Sequence, residues 1–317
     1  MPEVVSLGEL VVDMFGRPAG VALKEVGTFM PAPGGAPANV AVALARLGVE
    51  VGFIGGVGDD PFGEGLTEVL KSEGVDITHL QAIKDSPTMV SFVASASPVE
   101  QDFTIYRGAD TKLRLEDLDR EYITSAKVFL YGSVTLSGGS REAVLQAARW
   151  AKEDNVLVVY DPNWRPAVWP DLEGARDGIL KGLEGVDVCK VNETELELIT
   201  GTRECQGGSN RLLDRGVQLC LITLGSEGTY FNNGLVHDHV PAFPVEAVDS
   251  TGCGDAFCAG FTAALLETKK ILGNLRGSEL SDIVRFANAV SAISATQTGA
   301  MASLPRRNEV NAFLQRM

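Results

Sequence analysis

The chain has 317 residues, 45% apolar and 22% charged, a globular composition that argues against a disordered polymer. Acids outnumber bases 42 to 27, and the formal charge of −15 argues against nucleic acid or an anionic membrane as a partner. A small phosphorylated molecule held by a local field is not excluded.

Residues 4–7 form a short apolar run that predicts a strand. A stretch rich in glycine and proline follows, and residues 37–47 (PANVAVALARL) predict a helix with proline in its first turn and Gly48 as its stop. Residues 51–54 read as strand and 62–72 as helix. Further strands are expected at 127–131, 156–160 (VLVVY), 186–191 and 220–223, with a helix at 141–153. Their continuous β-branched runs are those of strands covered on both faces, and alternation with helices implies right-handed βαβ units. Long helical patterns occupy 256–267 and 280–296. The stretches 10–33 and 89–107 break the alternation. Both read as β, with 89–95 pairing with 103–106, and together predict a small β lid; long surface loops are the alternative. Neither repeats nor linkers divide the chain, so 1–317 is expected to be a single α/β domain.

The 5 cysteines are odd in number and lack CxxC spacing, which disfavours disulfides and a zinc ribbon. The N-terminus has no basic region ahead of an apolar stretch, and no apolar run of about 18 residues occurs. A cytoplasmic protein is expected.

Two glycine clusters carry the chemistry. In VDSTGCGDAF (248–257), a strand-like stretch at 245–248 runs into Gly252, Cys253 and Gly254 and then an apolar helix. Their amides, at a helix N-terminus, would hold an anion. Asp255 would lie beside that anion in the first turn, suited to take a proton from an attacking hydroxyl. An ordinary helix start, capped by Ser250 or Thr251, is the plainer alternative. No Walker A pattern is present. In PGGAPANVA (33–41), Gly34 and Gly35 open a helix with Asn39 on its first turn. That arrangement suits close backbone approach to a polar ligand, or else a tight turn with a capping Asn.

Together, GGAPANVA near the N-terminus and DSTGCGDAF near the C-terminus resemble the two signatures of the ribokinase-like (PfkB-type) carbohydrate kinases. Gly8-Glu9 followed by Asp13 fits the same pattern. The resemblance covers essentially the whole chain. It implies a central, mostly parallel sheet flanked by helices, a small β lid over the sugar, and transfer of the ATP γ-phosphoryl to a primary hydroxyl. Asp255 then matches the catalytic base, with Gly252, Cys253 and Gly254 as the anion hole. Cys253 departs from the usual alanine, though only its amide is needed. Lys190 lies at the nucleotide side, and Asn192 and Glu195 in NETE resemble an N-x-x-E element that organises Mg²⁺, often through water. Thr223, Gly225 and Gly228 in ITLGSEG resemble the nucleotide turn, and Asn288 matches a residue near adenine. Family members often use K⁺, here expected around Asp249 and Thr251.

DPNWR (161–165) resembles the loop of members acting on fructose and on 2-keto-3-deoxygluconate, and Tyr106-Arg107-Gly108-Ala109-Asp110 resembles a lid segment in which Arg107 contacts the sugar. The sugar ligands expected are Asp13, Gly35, Asn39, Arg107, Asn163 and Arg165, and fructose is the first choice. A binding-only sugar sensor is the rival reading. An exposed lid edge also suits pairing of two copies.

Overall fold

The computed structural model describes residues 1–18, 20–95 and 101–317, so parts of both expected lid stretches (19 and 96–100) lie outside the described residues. The strands are β1 (Val4–Leu7), β2 (Val11–Arg17), β3 (Thr28–Gly34), β4 (Val51–Gly58), β5 (Leu80–Ile83), β6 (Met89–Ser95), β7 (Gln101–Tyr106), β8 (Val128–Gly132), β9 (Leu157–Asp161), β10 (Val188–Asn192), β11 (Leu219–Thr223), β12 (Gly228–Asn232) and β13 (His237–Pro241). Among the described residues, nine of them form one sheet in the order β13-β12-β11-β10-β9-β8-β1-β4-β5. The pairs from β5 through β11 are parallel, while β12 and β13 are antiparallel additions at one edge.

Every residue of β1, β4 and β8 is buried because helices cover both faces of the sheet. One face packs on helices Ala36–Arg46, Cys253–Thr268 and Gly277–Ala295 through Val40, Leu44, Phe257, Phe261 and Val290. The other packs on helices Arg141–Glu153 and Leu172–Gly182 through Val144, Ala147 and Ile179. Helix Cys253–Thr268 is buried on nearly every side, from Asp255 through Leu265, so its sequence is apolar without a polar stripe. It approaches helix Gly277–Ala295 so closely that a Cβ on Gly260 would meet the Ala287 Cα at 2.9 Å. No helix of the described residues is long and apolar enough to cross a membrane.

A second, four-stranded sheet has the order β3-β2-β6-β7. β2 and β6 run parallel at its centre, and β3 and β7 flank them antiparallel. The residues expected to form a hairpin do pair, with Val90 opposite Tyr106 and Phe92 opposite Thr104.

Two expectations need correction. Strand β4 continues to Gly58 because its glycines are points of close approach and not breaks: a Cβ on Gly56 would meet the Ala109 carbonyl oxygen at 2.7 Å. Residues 245–248 are not a strand. The amides of Val248 and Asp249 both donate to the Ala295 carbonyl, at 2.8 and 3.2 Å, so the segment is tied to a helix end and pairs with no strand.

Candidate active site

A cavity of about 840 Å³ opens at the C-terminal ends of the parallel strands, between them and the inner face of the four-stranded sheet. Strand ends supply its floor, β2 and β6 supply one wall, and the N-terminus of helix Cys253–Thr268 closes the other side.

Asp255 lies at the centre and is 5% exposed. Asn39 Nδ2 donates to its Oδ2 at 2.7 Å and Asn163 Nδ2 to its Oδ1 at 3.1 Å. Burial pushes the Asp255 carboxyl up to about 6, against the pull of the Asn39 hydrogen bond. Gly252 caps the helix with φ +81° and has Ala300 packed against it, and Asp255 falls in the first turn, as expected. Neither Ser250 nor Thr251 is the cap. The Cys253 amide donates to the Ser250 carbonyl at 3.2 Å, so in this conformation it is not free to join Gly252 and Gly254 in an anion hole. Burial raises the Cys253 thiol to about 11, with Asp249 adding to the effect, so the thiol is not an activated nucleophile.

Lys190 and Asp161 form a buried ion pair on neighbouring strands, Nζ to Oδ2 at 2.9 Å. Burial opposes the ammonium charge, but Asp161 and Glu195 outweigh it and hold Lys190 charged. A Cβ on Gly254 would meet Lys190 Nζ at 2.8 Å, which puts a fixed cation directly against the helix N-terminus. The Asp161 Oδ1 accepts from the Asn163 amide at 3.1 Å, and Asn163 adopts φ +42°, a conformation that asparagine tolerates better than most residues.

Asp13 points from β2 to the other end of the cavity. Gly34 has no side chain because a Cβ there would lie 2.0 Å from the Asp13 Oδ2. Gly34 itself is not part of the cavity lining; Gly35 and Asn39 are. Burial pushes the Asp13 carboxyl up to about 6, with Ser91 and the charge of Arg165 pulling it down. Arg165 is exposed at the rim, and its charge reaches both Asp13 and Asp255. Arg107 is not brought into the lining. Its guanidinium binds Asp110, Ser137 Oγ at 2.7 Å and the Val134 carbonyl at 3.1 Å, fastening the end of β7 to the main body. The Gly108 amide also donates to Asp110 at 2.7 Å, and a Cβ at Gly108 would strike the Pro87 carbonyl oxygen at 1.9 Å.

At the end of β10, Asn192 and Glu195 form a capping box on helix Glu193–Thr200, each side chain bonding the other's amide at 2.9 Å. The second Glu195 oxygen accepts from the Trp164 amide at 2.8 Å. Each Glu195 oxygen therefore accepts one backbone amide, which fixes the carboxylate in place. Thr223, Gly225 and Gly228 line the cavity where β11 turns into β12, and Gly228 at φ +110° lies where a Cβ would strike the Val240 carbonyl at 2.2 Å. Asn288 also lines the cavity, but its amide is committed: Oδ1 accepts from Thr229 at 2.7 Å and Nδ2 donates to Val240 and Pro241 carbonyls. Asp249 joins Thr251 to Gly299, one oxygen accepting from the Thr251 amide and hydroxyl and the other from the Gly299 amide at 2.9 Å.

Sequence reasoning gave no site role to Ser91 or Ala300, and placed Glu9 and Asp161 in motifs without assigning either a role; all four line or support this site. A carboxylate in a run of apolar residues and a lysine in the buried strand VCKVN were the available signals, since lone buried charges require partners.

The pfkB family carbohydrate kinase model matches residues 1–307. Probable fructokinase-2 of Arabidopsis thaliana is 39% identical over 316 residues, covering 98% of this chain and 95% of that protein. Fructokinase-1 of Zea mays is 39% identical over 317 residues, 99% of this chain and 98% of that one. Among solved structures, fructokinase with bound ATP from Xylella fastidiosa superposes with a TM-score of 0.90 at 29% identity, covering 100% and 99% of the two chains. A double mutant of fructokinase from Vibrio cholerae, in a form with fructose, ADP and potassium bound, does so with 0.87 at 31%, covering 99% and 98%. Full-length matches of this kind, over the parallel sheet and buried Asp255 just described, show that the chain belongs to the pfkB family of carbohydrate kinases.

Proposed function

We propose that the protein transfers the γ-phosphoryl group of ATP to the 6-hydroxyl of fructose. One observation carries the reading: a buried carboxylate, Asp255, is held by two asparagines at a helix N-terminus, with a fixed ammonium alongside. Full-length similarity to fructokinases supports the choice of sugar.

In this reading the sugar occupies the end of the cavity between Asp13, Asn39 and Arg165, with its primary hydroxyl against Asp255. As a carboxylate, Asp255 takes the hydroxyl proton as oxygen attacks the γ-phosphorus and the bond to ADP breaks. Lys190 and the helix N-terminus face the charge that develops on the transferred group. The Cys253 amide joins them once its turn to Ser250 opens. Thr223, Gly225 and Gly228 flank the nucleotide. Closure of the four-stranded sheet over the sugar excludes water and limits ATP hydrolysis.

The residues do not fit a dedicated magnesium cage: among those described, no group of three His, Cys, Asp or Glu side chains is placed to hold a metal. Magnesium brought with the nucleotide would offset phosphate charge, and Asn192 and Glu195 would be the residues to order it, through water. The Asp249 crossing to Thr251 and Gly299 is the place proposed for potassium, supported by the potassium-bound Vibrio cholerae relative. The outer strands β3 and β7 expose Phe29, Met30 and Tyr106, which supports a homodimer through the lids.

The test is ADP production from Mg-ATP with fructose, 2-keto-3-deoxygluconate, ribose and adenosine, compared as kcat/KM. Fructose leading supports the assignment; another sugar leading replaces it while leaving Asp255 in place. Sugar binding without ADP release would replace the enzyme by a binding protein.

A further inference from the structure

Glu9 follows β1, is 4% exposed and lines the cavity, yet nothing in the transfer just described uses it. Its Oε1 accepts from the Ala36 amide at 3.1 Å, the first amide of helix Ala36–Arg46. Gly35, the cap of that helix, has no side-chain bond of its own and sits with φ +101° directly against Glu9, where a Cβ would meet the Glu9 carbonyl oxygen at 2.4 Å. The Gly35 carbonyl accepts from the Asn39 amide at 2.8 Å, and Asn39 Nδ2 holds Asp255. One continuous set of bonds thus runs from Glu9 through the helix start to Asp255.

We propose that Glu9 is a positioning residue for phosphoryl transfer: by capping the helix at Ala36 it fixes the height of Asn39, and through Asn39 the orientation and proton affinity of Asp255. The inference rests on the reading of Asp255 as the base. The helix cannot supply this cap itself, because Gly35 has no side-chain oxygen to accept from an amide.

The second carboxylate oxygen, Oε2, is buried and has no hydrogen-bond partner. Burial pushes the Glu9 carboxyl up to about 7, the backbone amides and Arg107 acting downward and Asp110 upward. The charged groups acting on it are thus Arg107 and Asp110, beyond the end of β7. The capping oxygen can accept in either protonation state, so the cap survives neutral pH.

The test compares E9A, E9D and E9Q by the pH dependence of kcat/KM and by circular dichroism. E9A removes the acceptor and E9D draws it back from Ala36. Both are expected to lower kcat between about tenfold and a hundredfold. Both are expected to move the acid limb upward, because a displaced Asn39 no longer favours the Asp255 carboxylate. Loss of a negative charge alone would move that limb downward. E9Q keeps the oxygen, and is expected to restore kcat and leave the limb in place. E9D keeps the question open to test if E9A does not fold. The proposal is overturned if the acid limb stays put in folded E9A or E9D, or if E9Q is as impaired as E9A. If D255N retains turnover, the base assignment itself fails, and the two failures are told apart.

Discussion

Asn39 and Asp255 are 216 positions apart in the chain and meet at 2.7 Å. The contact joins the starts of two helices, each opened by a glycine at positive φ, so that short loops bring both helix beginnings to the same point. Asn39 donates and Asp255 accepts, a bond that favours the ionised form a general base requires.

Asp255→Asn is expected to cut turnover by about 10²–10⁴-fold while leaving the sugar bound. Steady-state ADP release and calorimetric titration with fructose measure the two parts. Turnover near that of the unaltered protein would remove Asp255 from the mechanism.

The pH profile follows from the same carboxyl. Asp255 must be ionised to accept a proton, and burial places it at about 6. Activity is therefore expected to fall as pH drops through about 6. Asp13 ionises in the same range, so the limb alone does not say which carboxyl it reports. D13N, assayed across pH 5 to 8, separates them: the limb persists if it belongs to Asp255.

Stability responds oppositely. Glu9 holds its proton up to about 7, against an ordinary 4.5, because its charge is buried. A raised folded-state value contributes stability that is complete below 4.5 and is lost as pH rises through about 7, roughly 3 kcal/mol for Glu9. The melting temperature is thus expected to decline between about pH 4.5 and 7, and E9Q to flatten that decline. An equal slope in E9Q would place the effect elsewhere.

Lys190→Met tests the buried pair. Without the ammonium, Asp161 is left charged and buried, and a loss of about 3–5 kcal/mol is expected in urea unfolding. The double variant with Asp161→Leu is expected to recover most of that stability but not the activity. Recovered activity would deny Lys190 any part in holding phosphate.

Arg107→Ala distinguishes a fastening from a sugar contact. Asp110 is fully buried beside the guanidinium, so removal is expected to cost about 3 kcal/mol of stability. A raised sugar KM with unchanged stability would instead return Arg107 to the sugar.

The site residues that were legible in sequence are those whose roles are local. Asp255, Gly252 and Asn39 belong to compact glycine motifs in which backbone conformation and the side chain it presents are neighbours. The N-x-x-E spacing of Asn192 and Glu195 is equally local, and it proved to be a capping box because three residues is one helical turn. Lys190 and Asp161 depend on strand pairing between β9 and β10, which spacing does not reveal. For Arg107, sequence shows a cation near a ligand site but not the buried carboxylate, Asp110, that holds it in this structure. The sheet was legible from its apolar runs, whereas 245–248 had a strand's composition without a neighbour to pair with.

Helix Cys253–Thr268 is enclosed by helices Ala36–Arg46 and Gly277–Ala295, and it is made late. During synthesis, a ribosome that has reached residue 250 has already released an alanine-lined helix whose intended cover does not yet exist. Until residues 253–268 emerge, the nascent chain carries that bare face, with Asn39 lacking Asp255 as its partner.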